Sequence, residues 1–153
     1  MTPNIHATAV LLGVHGVLIR GPSGAGKSLL ALLLLESFSR RGDTAVLVAD
    51  DRVDLVAGVE GIAMSPPDNL AGLIELRGRG IVRRAYRSGV RLHLVVDLVP
   101  DLERMPEDDH FWTDILGHTL PRCPVPQAGV VGLDHQRLLI EEALSAIALP
   151  PGG

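Results

Sequence analysis

A short apolar strand, a glycine-rich loop and a helix follow one another between residues 16 and 41, and few folds accept that succession. The strand reads Gly16-Val17-Leu18-Ile19 and runs into Gly21-Pro22-Ser23-Gly24-Ala25-Gly26-Lys27-Ser28. This is the P-loop pattern, in which backbone N–H groups cradle phosphates. Gly21, Gly24 and Gly26 let the backbone turn with positive φ and leave no Cβ between the amides and the ligand. From Lys27 the chain continues Ser28-Leu29-Leu30-Ala31-Leu32-Leu33-Leu34-Leu35-Glu36, strong helix formers with no β-branched residue. It closes near Arg40-Arg41-Gly42, where cations and then glycine suit a helix C-terminus. The helix is apolar nearly all round, which predicts packing on more than one side. Its N-terminus adds a positive end to the loop. Lys27 is the one lysine in the chain; the other 13 basic residues are arginine. A compact ammonium on a flexible stem reaches between two phosphates where the wider guanidinium does not.

Strand before and helix after are the context the motif requires, so Gly21, Pro22, Ser23, Gly24, Ala25, Gly26, Lys27 and Ser28 are assigned to nucleotide binding. With ATP, Lys27 would neutralise the β and γ oxygens and the Ser28 hydroxyl would bind Mg²⁺. Composition narrows the partners. With 153 residues, 46% of them hydrophobic, the chain is long enough for one core and too short for two ordinary domains. We read one domain over 1–149 and a tail over 150–153. A formal charge of -4 and a pI near 5.8 give no bulk attraction to nucleic acid or to an anionic membrane. Aromatic residues are only 3%, which removes most stacking platforms for bases. Cys123 is alone, excluding an internal disulfide and a cysteine zinc cluster and fitting a reducing compartment. The first residues lack a basic stretch leading into a long apolar region, and the most apolar run, 29–35, is far short of the roughly 20 residues that span a bilayer. The expectation is a cytoplasmic protein without nucleic-acid or membrane partners.

Ala7-Thr8-Ala9-Val10-Leu11-Leu12 reads as a strand before the P-loop strand. Thr44-Ala45-Val46-Leu47-Val48-Ala49 suits a buried strand and delivers Asp50-Asp51 at its C-terminal end, the side on which open α/β sheets bind ligands. Val53-Asp54-Leu55-Val56-Ala57 and Gly61-Ile62-Ala63-Met64 predict a hairpin turning at 58–60. Pro66-Pro67 breaks the pattern, and Asp68 or Asn69 is placed to cap a short helix over 70–76. A strand is expected over 90–97, a long irregular segment over 100–126 with its five prolines, and a last helix over 134–148 with an apolar stripe of Leu138, Leu139, Ala143, Leu144 and Ile147. The expected fold class is α/β: a P-loop-containing core with a mixed central sheet and flanking helices.

Neighbouring carboxylates on a strand end point in different directions, so Asp50 and Asp51 need not share a task. One can face a metal and the other an acceptor hydroxyl whose proton must leave. The alternative is that Asp51 pairs with Arg52 or starts a surface turn.

Three motifs in order carry a family resemblance: the P-loop, Ala49-Asp50-Asp51-Arg52-Val53, and Ile74-Glu75-Leu76-Arg77-Gly78-Arg79-Gly80-Ile81. Together they resemble the C-terminal catalytic domain of HPr serine kinase/phosphorylase, over about residues 5–143. The resemblance implies that His6 belongs to the active site, that Lys27 contacts phosphate, that Ser28 and Glu75 hold Mg²⁺ with Asp50 on the metal side, and that Asp51 takes the serine proton. It implies a catalytic role for Arg104 and links 121–126 to dephosphorylation. Read from residues alone, His6 is a surface histidine and Glu75 an exposed acid. The resemblance is to a short form of the α-proteobacterial type, expected to lack the family's N-terminal domain and later C-terminal helix. The implied function is an ATP- and Mg²⁺-dependent protein serine kinase, and also a phosphorylase, acting on the HPr-type phosphocarrier protein of a phosphotransferase system. Its role would be regulatory, in carbon and nitrogen metabolism, and its assembly a hexamer. A P-loop kinase for a small metabolite and a non-catalytic nucleotide or phosphate sensor are the other readings. Arg77, Arg79, Arg83, Arg84, Arg87 and Arg91 form the densest basic stretch, read either as a solvated face or as a docking surface for a phosphoprotein or phosphate.

Overall fold

The computed structural model describes residues 3–147, which form β1 (Asn4–Ile5), β2 (Thr8–Leu12), β3 (His15–Arg20), α1 (Lys27–Arg40), β4 (Ala45–Ala49), β5 (Val53–Gly58), β6 (Gly61–Ser65), β7 (Leu73–Leu76), β8 (Gly80–Arg83), β9 (Val90–Val99), β10 (Trp112–Ile115), β11 (His118–Pro126) and α2 (Leu133–Ser145). The tail over 150–153 and the predicted last helical residue, Ala148, lie outside the described residues. The main sheet has the order β1-β5-β6-β9-β3-β2-β4, and β11 joins β9, bringing β10 with it. β3 pairs parallel with β9, and β11 does the same, while β2 is antiparallel to both β3 and β4. β4 therefore runs in the same direction as β3, and the C-terminal ends of β3, β4, β9 and β11 reach one edge. The sheet is mixed, as the sequence predicted.

Alternation along the strands sends side chains to two apolar layers. Val10, Leu12, Val17, Ile19, Leu94 and Val96 meet Leu30, Ala31, Leu34 and Phe38 of α1 and Ile140 and Leu144 of α2. On the other face Ala9, Leu11, Leu18, Leu92 and Val95 join Leu55, Ile62 and Met64, carried by the sheet's own continuation through β5 and β6. α1 also touches β7, so its apolar excess is used on several sides. In β9 the residues facing the second layer shift from Leu92 to Val95, an odd step. The register explains it: Gly16 stands opposite Leu92 and Val17 opposite Leu94, which leaves His93 as the extra residue of a bulge. The Gly16 N–H donates to His93 Nδ1 at 3.1 Å. A Cβ on Gly16 would fall on the Arg91 carbonyl oxygen and 2.9 Å from Val90 Cγ1, so the two backbones approach there only because residue 16 has no side chain.

Three sequence expectations are corrected. The helix over 70–76 is absent: a 3-10 turn at Asp68–Leu70 is followed by β7, paired antiparallel with β8 as Leu73↔Arg83, Ile74↔Val82, Glu75↔Ile81 and Leu76↔Gly80. β-Branched Ile74, Ile81 and Val82, with glycines at 72, 78 and 80 all at positive φ, favour a hairpin over a helix. The irregular segment over 100–126 ends in the β10–β11 hairpin, so 121–126 is strand and not loop. Its prolines are tolerated because β10 pairs only as far as Pro121, and Pro124 and Pro126 lie where β9 alone is the partner. In α2 the buried positions are Gln136, Ile140 and Leu144, flanked by Leu139, Ala143 and Ile147; Leu138 faces solvent, about 200° round the helix from Gln136.

Gly16→Ala should destabilise the protein by about 2 kcal/mol or more, read as a fall in the urea midpoint, because neither backbone at the bulge can retreat without breaking the β3–β9 ladder. An unchanged midpoint would show that the close approach is not needed.

Candidate active site

The shared sheet edge collects the sequence-predicted residues. β3 ends at Arg20 and delivers the glycine loop; Gly24 and Gly26 have φ of 83° and 97°, so both occupy the left-handed region the loop requires. Gly26 is the N-cap of α1 and the helix begins at Lys27, with no acidic side chain in its first turn to compete for the open amides. Ala25 N–H donates to the Pro22 carbonyl at 3.1 Å, closing the turn. Lys27 is 8% exposed, and its Nζ donates to the carbonyls of Gly21 at 2.8 Å and Pro22 at 3.1 Å. Burial pulls the Lys27 ammonium below its ordinary pKa, opposed by the nearby Asp50 and Asp51 carboxylates.

β4 ends beside this loop, and the two aspartates part there. Asp50 is 7% exposed. Its Oδ1 accepts from Thr8 Oγ1 at 2.8 Å and Ser28 Oγ at 2.7 Å, and its Oδ2 accepts from the Glu75 N–H at 3.0 Å. Asp51 has φ 69°, a left-handed value that aspartate tolerates better than most residues, and its side chain is 68% exposed. The turn is held by Arg52 N–H donating to the Asp50 carbonyl at 2.8 Å. Asp51 Oδ1 lies 2.9 Å from His6 Nε2, so its partner is His6 and not Arg52. Between β1 and β2, His6 sits at the same edge as Thr8.

Ser28, Asp50 and the backbone of Glu75 are thus joined on one carboxylate. Among the described residues no cluster of three or more His, Cys, Asp or Glu is assembled for a metal. The donor set nevertheless fits a hard divalent cation bound together with phosphates: a hydroxyl, a buried carboxylate and an exposed Glu75 carboxylate are oxygen ligands, and Mg²⁺ is usually held by one or two carboxylates with phosphate and water oxygens completing the shell. Arg104 is not joined to this group. It stands on the exposed loop that follows β9 and lines a separate cavity of about 910 Å³ between that loop, β11 and α2, with Phe111, Trp112 and Leu139 among its walls. Cys123, also on that wall, is buried, and burial pushes its thiol up to about 12.

Two features escaped sequence reading. Thr8 is fully buried in an otherwise apolar strand, and a lone polar residue there must find a partner, which was the available signal. The second is an Arg20–Asp97–Arg122 network. Asp97 Oδ1 and Oδ2 accept from Arg20 Nε at 2.7 Å and Nη2 at 2.8 Å, and Oδ2 also accepts from Arg122 Nε at 2.6 Å. It fastens the last residue of β3, directly before Gly21, to β9 and β11. Burial opposes ionisation of Asp97, but the hydrogen bonds from Arg20 and Arg122 outweigh it and hold the carboxyl below its usual range.

A glycine loop opening a helix, with its lysine and its hydroxyl beside a buried aspartate at the end of a neighbouring strand, defines a P-loop nucleotide-binding core. Within that class the chain belongs to one family: residues 1–133 match the model of the HPr Serine kinase C-terminal domain. It is 41% identical over 137 residues to HPr kinase/phosphorylase of Streptococcus thermophilus, covering 80% of this chain and 42% of the relative. It is 39% identical over 109 residues to HPr kinase/phosphorylase of a Geobacillus strain, covering 67% and 33%. The chain thus spans well under half the length of these curated relatives. Its fold is similar to the solved Hpr(Ser) kinase/phosphatase from Coxiella burnetii, with a TM-score of 0.67 and 29% identity over 94% of this chain and 88% of that one. No helix among the described residues is long and apolar enough to cross a membrane.

Asp97→Asn should cost about 1–3 kcal/mol at pH 7, because two arginines lose a charge-assisted acceptor. The folded-state carboxyl titrates below its unfolded value, so its contribution is complete above about pH 4 and fades as pH falls further. Urea titrations should show the gap between wild type and variant closing in acid; a gap that widens there would contradict the pairing.

Proposed function

We propose that the chain is an ATP- and Mg²⁺-dependent protein serine kinase acting on an HPr-type phosphocarrier protein. The observation that carries the reading is the placement of Asp51. It is exposed at the mouth of the P-loop site and hydrogen-bonded by His6, whereas its neighbour Asp50 is turned inward to Ser28. A carboxylate so placed can meet a hydroxyl that arrives from outside on another protein. The names of the relatives and of the Coxiella structure support the choice of acceptor.

Loop amides and Lys27 orient the β and γ phosphates, so the terminal phosphorus faces outward. Ser28 and Asp50, with Glu75, are the residues that would hold Mg²⁺, which when bound offsets negative charge on the phosphates. Asp51 accepts the seryl proton as the oxygen attacks phosphorus and the bond to the leaving ADP oxygen breaks. His6 fixes the Asp51 carboxylate through Oδ1 and leaves Oδ2 for the substrate hydroxyl. In the dephosphorylating direction, an oxygen of inorganic phosphate attacks the phosphoserine phosphorus, the bond from phosphorus to the serine oxygen breaks, Asp51 returns the proton to that oxygen and pyrophosphate is the product. Arg104 would serve the moving phosphoryl group only after its loop turns toward the P-loop edge.

With labelled ATP and a purified phosphocarrier protein, label should appear as phosphoserine on the carrier. Lys27→Ala should weaken ATP binding about a hundredfold by calorimetry, as expected when one partner of a buried charge contact is truncated. Asp51→Asn should lower kcat by about 10²–10⁴ while ATP affinity stays within a factor of about two, the separation expected of a general base. Label entering only small metabolites, or full turnover by Asp51→Asn, would sink the assignment.

A further inference from the structure

The arginine-rich stretch is unused by the phosphate site and has no internal explanation. Residues 73–91 hold six arginines against one acid, Glu75, while the remainder of the chain holds eight basic residues against 17 acidic ones. The arginines that form ion pairs among the described residues are Arg20, Arg40, Arg41, Arg122 and Arg137. None of the six is among them, and all six are exposed. An acidic protein with six of the eight arginines outside those ion pairs in one segment has built a local positive field, and such fields steer and orient a partner of opposite sign.

The pairing of β7 with β8 places this field beside the proposed site. Ile74 and Val82 stand opposite each other; Ile74 is buried and Val82 packs on the helix-side core, so that face of the hairpin points inward. The alternate pairs, Glu75 with Ile81 and Leu73 with Arg83, therefore share the outer face. Ile81 is 64% exposed. The outer face thus carries Ile81 and Arg83 next to Glu75, whose own N–H binds Asp50, and Arg77 and Arg79 form the tip of the same hairpin. Arg87 follows on the segment that hydrogen-bonds to the edge of β4, through Arg87 N–H to the Leu47 carbonyl. β4 leads on to Asp50-Asp51, so this segment is anchored to the strand that carries the proposed base.

We propose that this face, an exposed isoleucine with Arg79 and Arg83 on the same hairpin and Arg87 on the segment that follows it, is the docking surface for an acidic face of the protein that carries the acceptor serine. It rests on the kinase reading above. An exposed apolar residue among cations fits a protein surface, in which a small hydrophobic contact supplies burial and the charges supply orientation. A nucleic acid would meet eight basic against 17 acidic residues over the rest of the chain.

The test uses steady-state phosphorylation of the phosphocarrier protein by wild type, by R79E/R83E/R87E and by R79K/R83K/R87K, with circular dichroism and thermal midpoints as fold controls. Charge reversal should raise KM for the carrier about tenfold or more, with kcat at saturating carrier and ATP affinity within a factor of about two. Wild-type KM should climb between low and high salt while the reversed variant stays flat. The lysine variant should keep KM near wild type, since charge is retained. An unchanged KM on reversal, or an equal rise in the lysine variant, overturns the docking surface and leaves the kinase reading intact. Tight binding of a duplex DNA probe that only the reversed variant loses, without change in carrier KM, assigns the patch to nucleic acid and also overturns it. Absence of carrier phosphorylation by wild type removes the kinase reading and the docking surface together.

Discussion

One carboxylate joins three separate parts of this fold. Asp50 accepts hydrogen bonds from Thr8 on β2, from Ser28 on the first turn of α1 and from the backbone of Glu75 on β7. Hydrogen bonds to a charged group contribute about 1.5–3 kcal/mol each, and the cost of leaving a buried one unmade is larger than the gain from making it. The consequence is positional. β4 is the last strand of the main path and could drift, but its end is held against the helix that opens the P-loop and against the hairpin that carries Glu75. A buried anion at that place is tolerable because the Lys27 ammonium and the positive end of α1 face the same region.

That anchoring frees the next residue. Asp51 takes a left-handed conformation, which costs an L-residue roughly 1–2 kcal/mol, and gains from it a side chain directed away from Asp50 and toward His6. A simple strand would have given the two aspartates opposite faces of the sheet. The turn instead gives them opposite sides of one site: an inward carboxylate bonded by Ser28 and an outward one beside His6. Strain at this point is sustained because the three donors to Asp50 fix the residue before it and the bond from Arg52 N–H to the Asp50 carbonyl fixes the residue after it.

Local chemistry was the legible part. Glycine spacing, the helix formers after Lys27 and the apolar run before Asp50 each specify their own geometry without help from distant residues, and the structure has them where the sequence placed them. The misread segments depend on long-range pairing. β7 and β8 are too short to show a strand period, and only their registration with each other and the burial of Ile74 under α1 settle them. β11 is rich in proline, and whether a proline breaks a strand depends on which edge has a partner, which a sequence does not state. Thr8 and Asp97 lay within apolar strands as small irregularities; their partners are 42 and 77 residues away. Arg104 is another case: its role rests on motif resemblance alone, and its loop lines a cavity with β11 and α2.

The solitary lysine shows how composition and geometry constrain one another. An ammonium has three donors, and Lys27 spends two on the carbonyls of Gly21 and Pro22, the first two residues of its own loop. Those bonds hold the loop in its open turn before any phosphate arrives, and one donor stays available for a phosphate oxygen. Burial lowers the ammonium's pKa, so a phosphate that enters relieves part of a desolvation penalty the protein already bears. A guanidinium cannot replace it: its five donors lie in one rigid plane, too wide to turn between the two carbonyls and still face the ligand. Arginine serves this chain wherever a cation stands on the surface or forks onto Asp97, and lysine is kept for the single position where a point charge must bond backward and forward at once.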